Sequence, residues 1–455
     1  MDRYNVRPLK DHDSFSVKVP GSKSITNRAL LLAAMCEGEC TLNGVLFSDD
    51  SRAFLACLKE LGFKLTVNEE EKRVTITGTG GRIPNRKAEV YVGSAGTAAR
   101  FLTVFLAFAG GEYEMNASPQ MCRRPMEPLI SDLRKAGAEI TCKGEEGHFP
   151  FILRSDAVTV SEMTSNTDIS SQFASAILMA APLLENGIRL TLEGSRTGGS
   201  YINITLKMMA DFGFKYTREG NTVTVNPGRS SCKEADDGSV NSGCPGIPVY
   251  NIEPDMSAAC YFYAMAPICG KIMQVSGVHP DSVQGDYQFI RVLESLGCKS
   301  TDDKDGLILA PPAKKEYPGI EIDMKDFSDQ TMTMAVTAAF AGSPTTIRNV
   351  GHIRFQESDR LHAIVTELNR LGCKCTAIDE DTGLLIEPAL SGINGEDNSP
   401  YHSADIETYE DHRIAMAFAL AGLRIPGMSI LNPGCCRKTF ENYFDVLETL
   451  CRDHL

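Results

Sequence analysis

A helical segment that ends in a glycine recurs along the chain at intervals of about 75 residues. The five copies read AFLACLKELGFKL, LISDLRKAGAEI, LKMMADFGFKY, IRVLESLGCKS and IVTELNRLGCKC. Their steps are 75, 76, 84 and 75 residues, counted between the glycines Gly62, Gly137, Gly213, Gly297 and Gly372. A sixth helical segment, YFDVLETLCRDHL, carries Cys451 at the glycine position. Glycine at this place predicts a left-handed C-cap that turns the chain out of the helix and into a strand.

A second series of segments lies between these copies and is apolar on nearly every side. Its members are SITNRALLLAAM, GTAARFLTVFLAFA, SSQFASAILMAAPLL, MSAACYFYAMAPI, DQTMTMAVTAAFA and DHRIAMAFALAGL. A helix without a polar face belongs inside a domain. Together with the short strand-like segments around them, the two series predict six α/β units of about 75 residues each.

The longest break in this pattern is the stretch 226–249, which is rich in Gly, Ser and Pro. It falls within the long step of 84 residues and separates three units from three. We therefore place the domain boundary here, with an N-terminal domain over 21–248 and a C-terminal domain from 249 to 455.

The composition limits the partners of the chain. Fifty-nine acidic and 45 basic residues give a formal charge of −14, so a general attraction to nucleic acid or to an anionic membrane is not expected. No apolar run approaches the roughly 18 residues of a membrane span, and the N-terminus MDRYNVRPLKDHDS lacks the apolar core of a signal peptide. Fifteen cysteines form no zinc-binding or CxxC pattern, which favours reduced thiols in a cytoplasmic protein without a metal site.

The starts of the six apolar helices carry groups suited to binding anions or moving protons: Lys23-Ser24, Gly96-Thr97, Ser170-Ser171-Gln172, Asp255 with Ser257, Asp329 with Thr331, and Asp411-His412-Arg413. Ordinary N-capping explains the hydroxyl and carboxylate side chains. It does not explain the cations on or beside these helices, which are Lys23, Arg28, Arg100 and Arg413. A buried cation is costly unless an anion pairs with it, so these residues indicate an anionic ligand. The sequence before Lys23 lacks the Walker spacing, which argues against a nucleotide-dependent kinase.

Several motifs occur in the order seen in one known family: PGSKSITNRALLLAA, GSAGTAAR, RRPMEPL, SSQF, SVQGD, FQESDRL, YEDHRIAMAFAL and RKTF. From about residue 14 to residue 445 the chain resembles the EPSP synthase (3-phosphoshikimate 1-carboxyvinyltransferase) family. The resemblance implies the enolpyruvyl transferase fold, an α/β fold of two domains with three βαβαββ units each. It also implies that residues 1–20 return to the C-terminal domain and that the buried helices point their N-termini at the interdomain cleft.

The resemblance further implies an activity, in the shikimate pathway to chorismate and the aromatic amino acids. The enolpyruvyl group of phosphoenolpyruvate is transferred to the 5-hydroxyl of 3-phosphoshikimate, phosphate is released, and no cofactor is needed. By the same resemblance Asp329 is the base, Glu357 is the acid and Lys23 assists catalysis. The residues expected to bind phosphoenolpyruvate are Lys23, Gly96, Arg124, Gln172, Arg360, Arg413 and Lys438. Those expected to bind 3-phosphoshikimate are Lys23, Ser24, Arg28, Ser170, Ser171, Gln172, Asp329 and Gln356. We expect the spacing of FQESDRL to place Glu357 and Arg360 on one helix face, and the protein to be a monomer.

The chain departs from the family pattern at several positions. Gln356 stands where lysine is usual, so we expect weaker attraction for 3-phosphoshikimate unless His352 or Arg354 supplies the charge. Ser94 replaces a frequent asparagine and Phe101 a common proline. The serine expected to bind the substrate phosphate is open among Ser195, Thr197 and Ser200, because Gly198 takes its place in the simplest alignment. Gly96 leaves room beside the phosphoenolpyruvate site, which predicts inhibition by glyphosate.

Two other interpretations stay open at this point. The related UDP-N-acetylglucosamine enolpyruvyl transferases use a cysteine on a mobile loop, for which Cys122 is the candidate here, although a packing cysteine is the simpler reading. A relative without activity would be a binding protein, but it would lack the acid, the base or the arginines, and all of these are present.

Overall fold

The computed structural model describes residues 2–156, 158–168, 170–194, 197–228, 248–314, 316–389 and 400–452. The chain divides into two compact units, which we call the terminal unit (Met1–Pro20 with Pro254–Leu455) and the central unit (Gly21–Glu253). The division falls five residues after the predicted one (254−249). Residues 249–251 form a strand that pairs in parallel with the strand Glu37–Asn43, so they belong to the central unit.

The terminal unit receives the first two strands of the chain, β1 (Arg3–Asn5) and β2 (Ser14–Val17). The central unit follows with seven helices and twelve strands in the described residues: α1 (Lys23–Met35), β3 (Glu37–Asn43), α2 (Asp49–Glu60), β4 (Lys64–Asn68), β5 (Arg73–Thr79), β6 (Lys87–Tyr91), α3 (Gly96–Ala109), β7 (Gly111–Asn116), α4 (Pro119–Cys122), α5 (Glu127–Lys135), β8 (Glu139–Cys142), β9 (Phe151–Ser155), β10 (Glu162–Asn166), α6 (Ser171–Ala180), β11 (Ile188–Glu193), α7 (Ser200–Asp211), β12 (Tyr216–Glu219), β13 (Thr222–Val225) and β14 (Val249–Asn251).

The rest of the terminal unit contains, in order, α8 (Met256–Cys269), β15 (Ile272–Val275), α9 (Gln288–Ser295), β16 (Lys299–Asp303), β17 (Gly306–Ala310), β18 (Glu321–Asp323), α10 (Thr331–Ala339), β19 (Thr345–Arg348), α11 (Arg360–Arg370), β20 (Lys374–Ile378), β21 (Gly383–Glu387), β22 (Asp405–Ile406), α12 (His412–Gly422), β23 (Ser429–Leu431) and α13 (Tyr443–Leu450). Short 3-10 turns lie at Ala181–Leu183, Gly285–Tyr287, Ser328–Gln330, Gly351–Phe355 and Pro433–Lys438.

The same sheet pattern repeats three times in the central unit. The strand orders are β14-β3-β5-β4, β6-β7-β9-β8 and β10-β11-β13-β12, each with one parallel pair followed by two antiparallel pairs. In the terminal unit the orders are β2-β15-β17-β16, β18-β19-β21-β20 and, among its described residues, the three-stranded β1-β23-β22. Strand β2 pairs in parallel with β15, so the start of the chain completes a sheet whose other strands lie beyond residue 271. The predicted six-unit α/β fold is confirmed.

The predicted glycine turns are also confirmed. All five repeat glycines have φ between 81° and 106°, a backbone conformation that residues with a side chain rarely adopt. After α2, for example, the Phe63 amide donates to the Leu58 carbonyl at 3.0 Å, which closes the helix end. Each turn thus leads from an amphipathic helix into the first strand of a β-hairpin.

The apolar helices form the centres of the two units. Residues 96–108 of α3 are all buried, and α3 packs against α6. In the terminal unit α8, α10 and α12 pack together. These helices have no solvent-exposed face. The polar groups at their starts are therefore among the few polar groups that lie in the interior of each unit. Within the described ranges no helix is both long and apolar enough to cross a membrane.

Candidate functional site

The predicted site residues fall into two groups, one in each unit. The central unit holds Lys23, Ser24, Arg28, Gly96, Arg124, Ser170, Ser171 and Gln172. The terminal unit holds Asp329, Gln356, Glu357, Arg360, Arg413 and Lys438.

Lys23 is the first residue of α1 and faces a carboxylate on α2. Its Nζ lies 2.5 Å from Oδ2 of Asp50, and its side chain is 19% exposed whereas that of Asp50 is 3% exposed. An ammonium group at a helix start that keeps an accessible side is suited to an anionic ligand. Asp50 could not be recognised from the sequence, because an acidic residue shortly after Ser48 is ordinary for the first turn of a helix.

Arg28 is a fully buried guanidinium further along α1. Its Nε donates to Thr205 Oγ1 at 2.8 Å, and one terminal nitrogen donates to the Ser24 carbonyl at 2.9 Å. The other terminal nitrogen lies 3.3 Å from Ser175 Oγ and 3.3 Å from the Tyr201 carbonyl. Burial lowers the pKa of Arg28 to about 10. In the described part of the chain, all hydrogen-bond partners of Arg28 are neutral oxygens, so no carboxylate there compensates its charge.

Gly96 begins α3 between two arginines. A Cβ atom at Gly96 would lie 2.7 Å from a terminal nitrogen of Arg100 and 2.7 Å from one of Arg124. Arg100 donates to Gln172 Oε1 at 2.7 Å. The side chain of Arg124 has no hydrogen-bond or ion-pair partner among the residues described, and its Nε is buried. A guanidinium of this kind beside a helix start is suited to bind an anion.

The start of α6 places the predicted Ser170, Ser171 and Gln172 side by side. The Ser170 hydroxyl caps the helix by accepting from the Gln172 amide at 3.2 Å. Ser171 is the first helical residue and is half-buried. Of the serine candidates near the next helix, Ser195 lies outside the described residues and Ser200 begins α7, so the choice among them stays open.

Arg360 organises the group in the terminal unit. Its Nε lies 2.8 Å from Asp411 Oδ2, and its terminal nitrogens lie 2.9 Å from Glu357 Oε2 and 3.3 Å from Asp329 Oδ1. Lys438 Nζ lies 3.1 Å from the other oxygen of Glu357. Burial acts to lower the pKa of Arg360, but Asp411 and Glu357 outweigh it and hold the pKa above its usual value. The two predicted proton-transfer residues thus contact one guanidinium.

Asp329 lies in the 3-10 turn just before α10 and is held from two sides. Arg413 donates to its Oδ2 at 2.6 Å and to its backbone carbonyl at 3.3 Å, while Arg360 approaches Oδ1. Arg413 itself stands at the start of α12, where its amide donates to the capping carboxylate of Asp411 at 2.9 Å. One carboxylate, Asp411, therefore fixes both arginines that hold Asp329.

Asp286 is a buried carboxylate at the end of the motif SVQGD, and it was not among the predicted site residues. Its Oδ2 accepts from Gln330 Nε2 at 3.0 Å and from the Ser257 hydroxyl. Burial, and then the negative charge of Asp329, raise the pKa of Asp286 to about 6, although Arg413 acts in the opposite direction. A second acidic group thus lies near the predicted base.

The prediction that Glu357 and Arg360 share a helix face is wrong. Helix α11 begins at Arg360, with Asp359 as its N-cap, so Glu357 lies before the helix in irregular chain. The pair still forms because the turn over 356–358 folds back onto the guanidinium, where Gln356 Oε1 also accepts a hydrogen bond from Arg360.

The two cations considered as replacements for the missing lysine are engaged elsewhere. Arg354 lies 3.1 Å from Asp359 Oδ2 and 3.1 Å from Asp381 Oδ2. His352 Nε2 lies 2.7 Å from the Ser328 hydroxyl. The charge of Arg354 is therefore already matched by two carboxylates, which argues against it as a substitute.

The geometry argues against the alternative thiol chemistry. The Cys122 thiol donates to the Ala117 carbonyl at 3.7 Å, and burial raises its pKa, which is the reverse of what a reactive thiol needs. No group of three or more His, Cys, Asp or Glu side chains suited to a metal ion occurs among the residues with a described placement.

The fold, with three sheets around buried helices in each unit, is that of the enolpyruvyl transferases. The EPSP synthase of Acinetobacter baumannii superposes with a TM-score of 0.79 at 24% identity, covering 99% of this chain and 98% of that chain. The enolpyruvyl transferase NikO of Streptomyces tendae superposes with a TM-score of 0.70 at 15% identity, covering 99% and 97%. These likenesses establish the fold.

Sequence comparison identifies the family. The model of the family described as EPSP synthase (3-phosphoshikimate 1-carboxyvinyltransferase) matches residues 13–447. The 3-phosphoshikimate 1-carboxyvinyltransferase of Trichormus variabilis is 38% identical over 445 residues, and that of Nostoc punctiforme is 39% identical over 445 residues, each covering 98% of both chains. The chain belongs to the EPSP synthase family, which decides against the UDP-N-acetylglucosamine enolpyruvyl transferases.

Proposed function

We propose that this chain, as a member of the EPSP synthase family, uses Asp329 and Glu357 as its proton-transfer groups. The reaction moves the enolpyruvyl group of phosphoenolpyruvate to the 5-hydroxyl of 3-phosphoshikimate and releases phosphate. The observation that carries the assignment is their shared contact with Arg360, at 3.3 Å for Asp329 and 2.9 Å for Glu357. Two carboxylates fixed on one guanidinium are held at a set separation, as a pair acting on one substrate must be.

The proposed reaction is an addition followed by an elimination. Asp329 takes the proton of the 5-hydroxyl as that oxygen attacks C2 of phosphoenolpyruvate, and Glu357 gives a proton to C3. In the second half Glu357 removes a proton from C3, the double bond re-forms and the C2–O bond to phosphate breaks. Asp329 returns the proton of the 5-hydroxyl to the departing phosphate, so each carboxylate ends the cycle as it began and no external acid or base is consumed.

Glu357 must be protonated before it can act as the acid. In the structure Arg360 and Lys438 both contact it, and these contacts favour the carboxylate form. Phosphoenolpyruvate brings a carboxylate and a phosphate, for which both cations are suitable partners. If the substrate draws them away, Glu357 loses two neighbouring positive charges and its protonated form gains.

The remaining cations are assigned to the substrate anions. We propose that Lys23, Gly96, Arg124, Gln172, Arg360, Arg413 and Lys438 bind phosphoenolpyruvate. Support comes from the side chain of Arg124, which finds no partner among the described residues although its Nε is buried. Inhibition by glyphosate stays a prediction, motivated by the lack of a side chain at Gly96 beside Arg124.

We propose that 3-phosphoshikimate is bound by Lys23, Ser24, Arg28, Ser170, Ser171, Gln172, Asp329 and Gln356. The buried guanidinium of Arg28 supports this, since among the described residues only neutral oxygens accept its hydrogen bonds, and an anionic ligand nearby would offset the cost of burying the charge. Both substrates are small molecules, and every group proposed comes from one chain, which supports a monomer. The free thiols of the described cysteines support a reducing, cytoplasmic setting.

Phosphate release tests the proposed function. The purified chain is incubated with both substrates, with each substrate alone and with shikimate in place of 3-phosphoshikimate, and free phosphate is measured over time. We expect release only when phosphoenolpyruvate and 3-phosphoshikimate are both present. Release from phosphoenolpyruvate alone at the same rate would indicate a phosphatase, and no release with both substrates would overturn the proposal.

A further inference from the structure

Two side-chain contacts connect helix α11 to the segment 407–413, which leads into α12. The first is the pair Arg360–Asp411 described above. In the second, the Tyr409 hydroxyl donates to Glu367 Oε1 at 2.8 Å. Arg360 and Glu367 are seven residues apart on one helix, so both project from the same face. One face of α11 therefore holds the segment at two points.

Glu367 is an unusual residue for this place. Its side chain is fully buried, and among the described residues its Oε2 accepts no hydrogen bond, although Arg370 forms an ion pair with that oxygen at 3.3 Å. Burial raises its pKa, against the hydrogen bond from Tyr409. A buried carboxyl group costs free energy unless it is well satisfied, so packing alone would favour an apolar residue here.

The segment that Tyr409 anchors has a strained backbone. Tyr409 has φ 53° and Glu410 has φ 56°, and neither is a glycine. Two left-handed residues other than glycine in succession are unfavourable, and they persist only where the surroundings hold them. The side chain of Glu407 helps by accepting from the Thr408 and Tyr409 amides at 3.1 and 3.3 Å.

The turn delivers Asp411 to its position. The Asp411 amide donates to the Thr408 carbonyl at 2.8 Å, which closes the turn, and its carboxylate then meets both Arg360 and the amide of Arg413. A shift of the turn would move Asp411 and, with it, the two arginines that hold Asp329.

We propose that Glu367 and Tyr409 are positioning residues, which hold the turn over 408–411 so that Asp411 can orient Arg360 and Arg413. Neither residue contacts the groups that we assign to substrate. The inference rests on the proposed function for the ligand of the two arginines, which is phosphoenolpyruvate. The placement of the turn itself does not depend on that function.

Three variants and one control test the proposal. Tyr409→Phe removes the hydroxyl and keeps the ring, Glu367→Met removes the acceptor, and Glu367→Gln keeps an oxygen that can accept from Tyr409. The control is Tyr401→Phe, which removes a hydroxyl that donates to the Ala339 carbonyl at 2.6 Å in the same unit. Backbone amide hydrogen exchange over 408–413 is measured together with steady-state kinetics for both substrates.

For Tyr409→Phe and Glu367→Met we expect faster exchange over 408–413 and a KM for phosphoenolpyruvate raised at least about fivefold. The KM for 3-phosphoshikimate should rise less, because Arg360 and Arg413 act on that substrate only through Asp329 and Gln356. Glu367→Gln and Tyr401→Phe should behave as the unaltered chain in both measurements. Unchanged exchange in Tyr409→Phe would overturn the proposal, and so would an equal rise in both KM values, which indicates a general loss of structure. If the unaltered chain shows no transferase activity, the proposed function fails, while the exchange data still decide whether Tyr409 and Glu367 hold the turn.

Discussion

Arg360 Nε and Asp411 Oδ2 lie 2.8 Å apart, and both side chains are almost completely buried. The Ser358 hydroxyl also donates to Asp411 Oδ2, at 3.0 Å. The terminal nitrogens of Arg360 contact Glu357 and Asp329, and the one that contacts Glu357 also donates to Asp411 Oδ1 at 3.3 Å. The orientation of the proposed acid and base thus depends on a carboxylate that we do not assign to substrate.

Asp411→Asn should destabilise the protein by about 3 kcal/mol, because it leaves a buried arginine without its main counter-charge. Asparagine caps a helix start as well as aspartate does, so the loss reports on the charge and not on capping of α12. Urea unfolding of both proteins measures the change. Glu387→Gln is the control, since Glu387 pairs with Lys374 at the surface at 2.6 Å and should matter by less than about 1 kcal/mol. Equal effects in the two variants would contradict the account.

Arg124→Gln should raise the KM for phosphoenolpyruvate by about tenfold or more. The Arg124 side chain has no partner among the described residues, so we expect it to pair with phosphoenolpyruvate, and glutamine would remove that ionic contact. The neighbouring Arg123 is exposed and provides a matched control. Arg123→Gln should leave the same KM within about twofold. A comparable rise in both variants would indicate a general effect of net charge.

Asp286→Asn should flatten the dependence of stability on pH between about 4 and 6. The pKa of Asp286 is raised from 3.8 to about 6 by burial and by Asp329, so the folded protein keeps a proton that the unfolded chain releases. The resulting stability is fully present below about pH 4 and is lost as the pH rises through about 6, at up to about 1.4 kcal/mol per pH unit. Unfolding free energies at several pH values measure the slope. An unchanged slope in the variant would contradict the assignment.

Gln356→Lys should lower the KM for 3-phosphoshikimate at low salt, and the gain should shrink at high salt as the added charge is screened. Gln356 contacts Arg360, so a lysine there adds a second cation beside the proposed site. Arg354→Gln should change this KM little, because Asp359 and Asp381 already pair with Arg354. If Gln356→Lys alters neither the KM nor its salt dependence, position 356 does not serve the substrate.

The sequence could predict the parts of this structure that depend on local pattern. Apolar segments such as residues 96–108 predicted the buried helices. The recurring glycines predicted the turns at the ends of the amphipathic helices. Residues 249–251 were assigned to the wrong unit because a three-residue strand after a long polar stretch carries almost no signal of its partner.

The contacts that organise the site could not be read from the sequence in the same way. Asp411 and Arg360 are 51 residues apart, and Tyr409 and Glu367 are 42 residues apart. No periodicity or capping rule connects positions at such separations. Asp411 has the appearance of an ordinary N-cap, and Glu367 that of a solvated residue on an amphipathic helix, until the fold brings their partners close.

The central claim is that Glu357 and Asp329 transfer the protons. It is tested most directly by running the reaction in deuterated water and measuring deuterium in the methylene group of the product, for the unaltered chain, Glu357→Gln and Asp329→Asn. The account predicts deuterium at that carbon with the unaltered chain, and turnover lowered by roughly 10² or more in each variant. A product without deuterium, or a Glu357→Gln variant that turns over at the rate of the unaltered chain, would contradict it.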